Sequence, residues 1–127
     1  MDFCCKLGKD ASGEFILDAY EKEGVSREMV LLGDTEGTGT AYIMLEDSGS
    51  NTILSYLGAN GDYTQKDIDV VLSKLSHYGY LCMDLEFSLE AIRAILKASK
   101  EGGPKLSSTP APFVRSCPWR LSAALTC

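Results

Sequence analysis

Two carboxylates, Asp84 and Glu86, close an apolar run, Tyr80-Leu-Cys-Met-Asp-Leu-Glu86, where they alternate with Met83 and Leu85. Open α/β sheets bind ligands beyond the carboxyl ends of their strands, so an acid at that place is a candidate acceptor for a ligand's hydrogen bonds. Helix capping or plain solvation is the competing reading of Glu86. Other residues with chemical potential offer less. Gly8-Lys9 is followed by Asp10, whereas a phosphate-cradling loop needs Gly-Lys-Ser/Thr after an earlier glycine. Gly37-Thr-Gly39-Thr40 precedes a strand-like run rather than a helix, so no helix N-terminus stands ready for an anion. His77, the single histidine, lies beside Tyr78-Gly79 with no partner at a catalytic spacing and reads as a surface residue at a helix end. The five cysteines, at 4, 5, 82, 117 and 127, form no C-x-x-C pair. Cys4 and Cys5 would point to opposite faces of a strand, a poor grip on one metal ion, so the cysteines read as reduced small apolar side chains.

The elements that must position these residues follow from periodicity. Asp10 to Gly24 reads as a helix, with Phe15, Ile16, Ala19 and Tyr20 at helical spacing and Gly24 as its left-handed cap. Val30 to Leu32 reads as a short strand. Thr38 to Glu46 and Asn51 to Tyr56 are rich in strand formers and are separated by the polar Asp47-Ser-Gly-Ser50, the pattern of an antiparallel hairpin. Thr64 with Asp67 three residues on is a capping box for a second helix, whose inner face is Ile68, Val71, Leu72 and Leu75. Tyr80 to Glu86 has the composition of a strand covered on both sides. Ser88 opens a third helix through Lys100, with Leu89, Ile92, Ile95 and Leu96 turned inward and Gly102-Gly103 as its stop. Alternating strand and helix after the hairpin implies a parallel α/β sheet. A further strand should follow, but Lys105 to Thr109 is only weakly strand-like.

Composition sets the outer limits. With 127 residues, 45% apolar and 24% charged, the chain has the balance of a globular protein and room for one modest domain or part of a larger one. A net charge of −6 argues against nucleic acid as the main partner. No apolar run has the length of a membrane span, and Met1 to Lys6 is not a secretory leader, so the expected location is the cytoplasm. All 18 acidic residues lie at or before Glu101, while residues 103–127 hold all four prolines and no acid. That stretch is expected to be a divergent, poorly ordered tail. The elements present would leave large apolar surfaces bare, as in a piece of a larger domain.

Leu7-Gly-Lys-Asp-Ala-Ser-Gly-Glu14 is similar to a glycine-aspartate-x-x-glycine turn into a helix, and Glu36 to Leu45 with Asn51-Thr-Ile53 to the two strands of a β-lid. With Gly58-Ala59-Asn60, Met83-Asp-Leu-Glu86 and Pro110-Ala-Pro112 in the same order, residues 3–112 resemble the PfkB (ribokinase-like) carbohydrate kinases. The resemblance implies part of a three-layer α/β/α fold over residues 1–102, with a small antiparallel β-lid at about 38–56. It implies transfer of the ATP γ-phosphoryl group to a sugar hydroxyl with Mg²⁺, ribose first, and fructose, adenosine or another nucleoside as alternatives. By position, Ala41 and Ile43 would face the sugar from the lid, and Glu86 would accept hydrogen bonds from its hydroxyls. Lids of this family pair between subunits, so a homodimer, or a non-catalytic dimerisation module, is the alternative from a different class. The departures matter equally. The family's glycine-glycine-lysine-glycine-alanine-asparagine sugar grip and its glycine-alanine-glycine-aspartate anion hole and base have no counterpart here, and Thr109 replaces an asparagine before Pro110. No catalytic residue and no residue for ATP or Mg²⁺ is therefore assigned, and the isolated chain is expected to be inactive.

Overall fold

The computed structural model describes residues 2–108, which fall into two units with the boundary between Asp62 and Tyr63. In the first, β1 (Cys5–Gly8) and β2 (Val30–Gly33) pair in parallel, Cys5 opposite Val30 through Gly8 opposite Gly33. The crossover between them is α1 (Ala11–Lys22), which starts where the Asp10 carboxylate accepts the Gly13 N–H at 2.8 Å. It ends in a Schellman motif. Gly24 takes φ +66°, its N–H donates to the Glu21 carbonyl, and the Val25 N–H reaches back to Tyr20 at 2.8 Å. The helix departs from expectation at Phe15, which is 73% exposed, whereas Gly13 is buried. A Cβ at Gly13 would lie 2.2 Å from the Gly8 carbonyl oxygen, so the helix meets the strand at its glycine rather than at its aromatic.

The hairpin follows as β3 (Thr40–Leu45) and β4 (Asn51–Tyr56), in antiparallel register from Thr40 opposite Tyr56 to Leu45 opposite Asn51. The strand expected from Thr38 begins two residues later, because the Thr38 N–H is already committed to Asp10. Glu46 donates its N–H to the Ser50 carbonyl, and Gly49 turns the tip at φ +84°. A single 3₁₀ turn over Gly58–Gly61 then packs against β1. Leu7, Met29 and Ala59 form the buried apolar centre of this unit.

The second unit is built from α2 (Gln65–Leu75), β5 (Tyr80–Met83), α3 (Leu89–Lys100) and β6 (Lys105–Ser108). Thr64 and Asp67 form the expected capping box, each side chain holding the other's N–H, and Ile68, Val71 and Leu75 are the buried face of α2. Ser88 caps α3, and the helix's inward face is Ala91, Ile92 and Ile95. Leu89, expected inward, is 45% exposed, because the first helical position points away from the row that Ala91 and Ile95 continue. α2 and α3 pack together, and Gly102 at φ +103° stops α3 with the Gly103 N–H on the Ala98 carbonyl.

β5 differs most from the reading of the sequence. It ends at Met83 instead of Glu86, Tyr80 is 75% exposed, and the strand is not covered on both sides within this unit. Its partner is β6, parallel, from Tyr80 opposite Lys105 to Met83 opposite Ser108. The weakly strand-like Lys105 stretch thus completes a second β-α-β unit. The remaining tail, residues 109–127, lies outside the described residues.

Candidate functional site

Ala41 and Ile43 occur two apart on β3, so their side chains share one face of the hairpin, opposite Ser55 and Ile53. Tyr42 and Met44 share the other face with Leu54 and Tyr56. Both faces are open. Every residue from Ala41 to Leu57 is exposed, with Ile43 at 64% and Leu54 at 64%. An apolar two-stranded ribbon with water on both sides is unusual for a folded chain and marks a surface meant to be covered.

Glu86 belongs to the second unit and lies in the loop between β5 and α3, with its side chain exposed. The loop has a local reason to leave the strand. The Asp84 carboxylate accepts the Glu86 N–H at 3.0 Å, taking that donor away from a ladder. On the other side of Glu86, Phe87 packs on Tyr63 with ring centroids 5.8 Å apart, and Ser88 caps α3. Glu86 is therefore held by its neighbours on both sides while its own carboxylate stays available. Asp84, weighed beside Glu86 in the sequence as a strand-end acid, acts on the backbone.

The root of the hairpin carries a polar constellation that sequence reasoning did not single out. Thr38, 5% exposed, donates its N–H to Asp10 Oδ2 at 2.7 Å and its hydroxyl to Asp10 Oδ1 at 2.6 Å. The same hydroxyl accepts the Gly8 N–H at 3.0 Å. These bonds, led by the Thr38 hydroxyl, hold the Asp10 carboxyl below its usual range. Nearby, Tyr56 donates its phenol to Glu36 at 2.7 Å, and that carboxylate raises the Tyr56 pKa. Lys6 is 3% exposed and donates to the Asp62 carbonyl, with its carboxylate 3.7 Å away. Lys9 pairs with Asp34, lowering the Asp34 pKa. The only sequence signal for the constellation was the Asp10-x-x-Gly13 spacing. Nothing local announces that Thr38 completes it.

His77 is exposed just beyond α2, and Cys4, Cys5 and Cys82 are free thiols. Among the described residues no group of three His, Cys, Asp or Glu side chains could hold a metal ion. No residue among those described is assigned to ATP or Mg²⁺, and no chemical step through that group is given to them.

Parallel β-α-β units, an exposed antiparallel hairpin and short turns in this order define an α/β domain of the kind the sequence resemblance implies. A profile of the pfkB family carbohydrate kinases matches residues 1–119, and the chain belongs to that family. It is 32% identical over 108 residues to the ribokinase of Schizosaccharomyces pombe, covering 85% of this chain and 34% of that protein. It is 31% identical over 110 residues to the bifunctional ribokinase/ribose-5-phosphate isomerase A of Fructilactobacillus sanfranciscensis, covering 87% and 20% respectively. The chain thus spans about a third or less of the length of these curated relatives. Among solved structures, Giardia lamblia ribokinase superposes with a TM-score of 0.78 at 24% identity, over 90% of this chain and 35% of that one, a likeness of fold. Arabidopsis thaliana ribokinase, solved with ribose and ATP, gives a TM-score of 0.64 at 28% identity over 84% and 35%. The α/β class expected from the sequence, part of a ribokinase-like fold with a small antiparallel hairpin, is the fold these likenesses assign. No helix among the described residues is long and apolar enough to cross a membrane.

Proposed function

We propose that this chain contributes the lid and the sugar-side acid of an ATP-dependent sugar kinase, with ribose as the first candidate and phosphoryl transfer to its 5-hydroxyl. The observation that carries the reading is the β3–β4 ribbon, apolar and exposed on both faces, in a family whose chemistry needs water kept from the acceptor. Ala41 and Ile43 are the lid residues turned to the sugar. Glu86 accepts hydrogen bonds from sugar hydroxyls, a task suited to an exposed carboxylate whose backbone is fixed on both sides. ATP and Mg²⁺ belong to the complete reaction, and their binding falls to segments with no counterpart in these residues. The site of action is the cytoplasm. The kinase-like domain is taken to occupy residues 1–102, with residues 103–127 as a divergent tail.

The test has two arms. Purified chain given ATP, Mg²⁺ and ribose should release no ADP above background, since its sequence carries no counterpart of the family's base and anion-hole motif. Residues 3–102 grafted into a complete kinase of this family should support turnover, and Glu86→Gln in that chimera should raise the sugar KM roughly 10-fold to 100-fold, with the ATP KM unmoved. An unchanged sugar KM removes Glu86 from the site. A second reading draws on the face formed by Tyr42, Met44, Leu54 and Tyr56, which suits a homodimer through the hairpin. Sedimentation of the chain and of Leu54→Lys should then show a dimer and a monomer respectively, and a monomer in both ends that reading.

A further inference from the structure

Since every residue from Ala41 to Leu57 is exposed, the direction in which the hairpin points is set at its root. Three elements converge there on two side chains. The Asp10 carboxylate holds the first turn of α1 through Gly13 and the lid's incoming leg through both the N–H and the hydroxyl of Thr38. The Thr38 hydroxyl adds the end of β1 by accepting the Gly8 N–H. The outgoing leg is fixed against the incoming one by the Tyr56 hydroxyl, which donates to Glu36, and by the backbone. Ala59 donates its N–H to the Gly37 carbonyl at 2.8 Å, and Gly58, at φ +51°, lies so near that a Cβ there would sit 2.3 Å from that carbonyl oxygen. A Cβ at Gly8 would be 2.5 Å from the Thr38 nitrogen, so no side chain separates strand end and root. Above this knot the ladder from Thr40–Tyr56 to Leu45–Asn51 is unbroken, which makes the ribbon stiffer than the two legs that join it to the knot.

We propose that Asp10 and Thr38 are positioning residues that clamp the root of the β3–β4 hairpin to the end of β1 and the start of α1. The clamp sets the direction of the ribbon from its root, leaving the ladder to hold its own shape. This deepens the lid reading and rests on it for its purpose, but the clamp itself is measurable without any substrate.

Thr38→Val keeps the shape of the side chain and removes its donor and acceptor. Asp10→Ser keeps a cap acceptor for Gly13 and withdraws the second oxygen from Thr38. Amide hydrogen exchange on the full chain reads the outcome residue by residue. Both variants should exchange the root amides of Thr38 and Ala59 about 3-fold to 10-fold faster than the parent chain, while the amides of the β3–β4 ladder and of α1 keep their rates. Thr38→Ser, which restores the hydroxyl, should return the root to parental exchange. Root, ladder and α1 accelerating in step would reduce the pair to general stability and overturn the clamp. So would root exchange unchanged in both variants. If Thr38→Val does not fold, Asp10→Ser and Thr38→Ser carry the same comparison. A clamp that fails leaves the Glu86 KM test untouched, and a Glu86 that fails leaves the exchange pattern untouched, so the two ideas fall separately.

Discussion

Gly58→Ala offers a quantitative check on the crowded root, because Gly24 supplies a matched control. Both glycines have positive φ, +51° and +66°, so an alanine at either bears the left-handed backbone penalty, about 1–2 kcal/mol. They differ in their surroundings. Nothing lies within 4 Å of a Cβ at Gly24, whereas at Gly58 it would meet the Gly37 oxygen at 2.3 Å, Tyr56 Cε1 at 2.9 Å and the Gly39 nitrogen at 3.1 Å. Two of those three are backbone atoms that cannot rotate aside. Relieving the overlap means pushing Gly37 and Gly58 apart, which adds roughly 1–3 kcal/mol of overpacking. It also stretches the bond from the Ala59 N–H to the Gly37 carbonyl, worth about 0.5–1.5 kcal/mol. Gly58→Ala should therefore cost about 2–4 kcal/mol more than Gly24→Ala. At about 4–8 °C per kcal/mol for a unit of this size, the two melting midpoints should stand at least 8 °C apart. Urea titration followed by circular dichroism gives the free energies, and a thermal scan the midpoints. Equal losses within about 0.5 kcal/mol would show that the root yields freely, and the tight-approach reasoning would fail.

Thr64→Ala should cost about 1 kcal/mol in urea, since it deletes one half of the capping box with Asp67, and Thr64→Ser should recover most of it. Asp10 has a folded pKa below its unfolded value, so its contribution is present above the unfolded value near ~4 and fades as pH falls through the lower folded one. The protection of the root amides, taken relative to their intrinsic exchange rates, should accordingly fall as pH drops below about 4, and the Asp10→Asn variant should lose that part of the pH dependence. In the grafted kinase, Asp84→Asn keeps an oxygen for the Glu86 N–H and should leave the sugar KM near that of the parent, whereas Asp84→Ala should raise it several-fold. Equal effects of Asn and Ala there would mean that Asp84 acts by charge rather than by holding the loop.

What could be read in the sequence was local. The Thr64–Asp67 box, the left-handed Gly24, the bounds of β4 and the Ser88 cap each depend on residues within a few positions of one another, and each lies where the spacing put it. The family resemblance was legible for the same reason, as short turns in a fixed order. Bonds between distant residues were not. Thr38 leaves β3 because of Asp10, 28 residues earlier, and Lys6 is buried because Asp62, 56 residues later, receives its amine. The alternation through Met83 to Glu86 looked like strand, yet Asp84 turned the backbone out with a bond that competes with the ladder. Glu86 was singled out by its place at the end of a strand-like run, and the contacts of its neighbours Asp84 and Phe87 needed coordinates.

The open ribbon also governs how crowded a solution this chain tolerates. A two-stranded sheet has a free edge on either side, and here Ile43, Leu45, Ile53 and Leu54 sit beside those edges in water, a template on which further copies can add. What holds copies apart is charge, −6 over 127 residues, with Glu46 and Asp47 close to the ribbon's tip. Repulsion of that kind reaches only about 10 Å at 0.1 M salt and about 3 Å at 1 M. Added salt therefore lowers the concentration at which the chain stays dispersed, and so does acid, which neutralises the same carboxylates. Dilute buffer above neutral pH is therefore the condition that most opposes further association along the ribbon's edges.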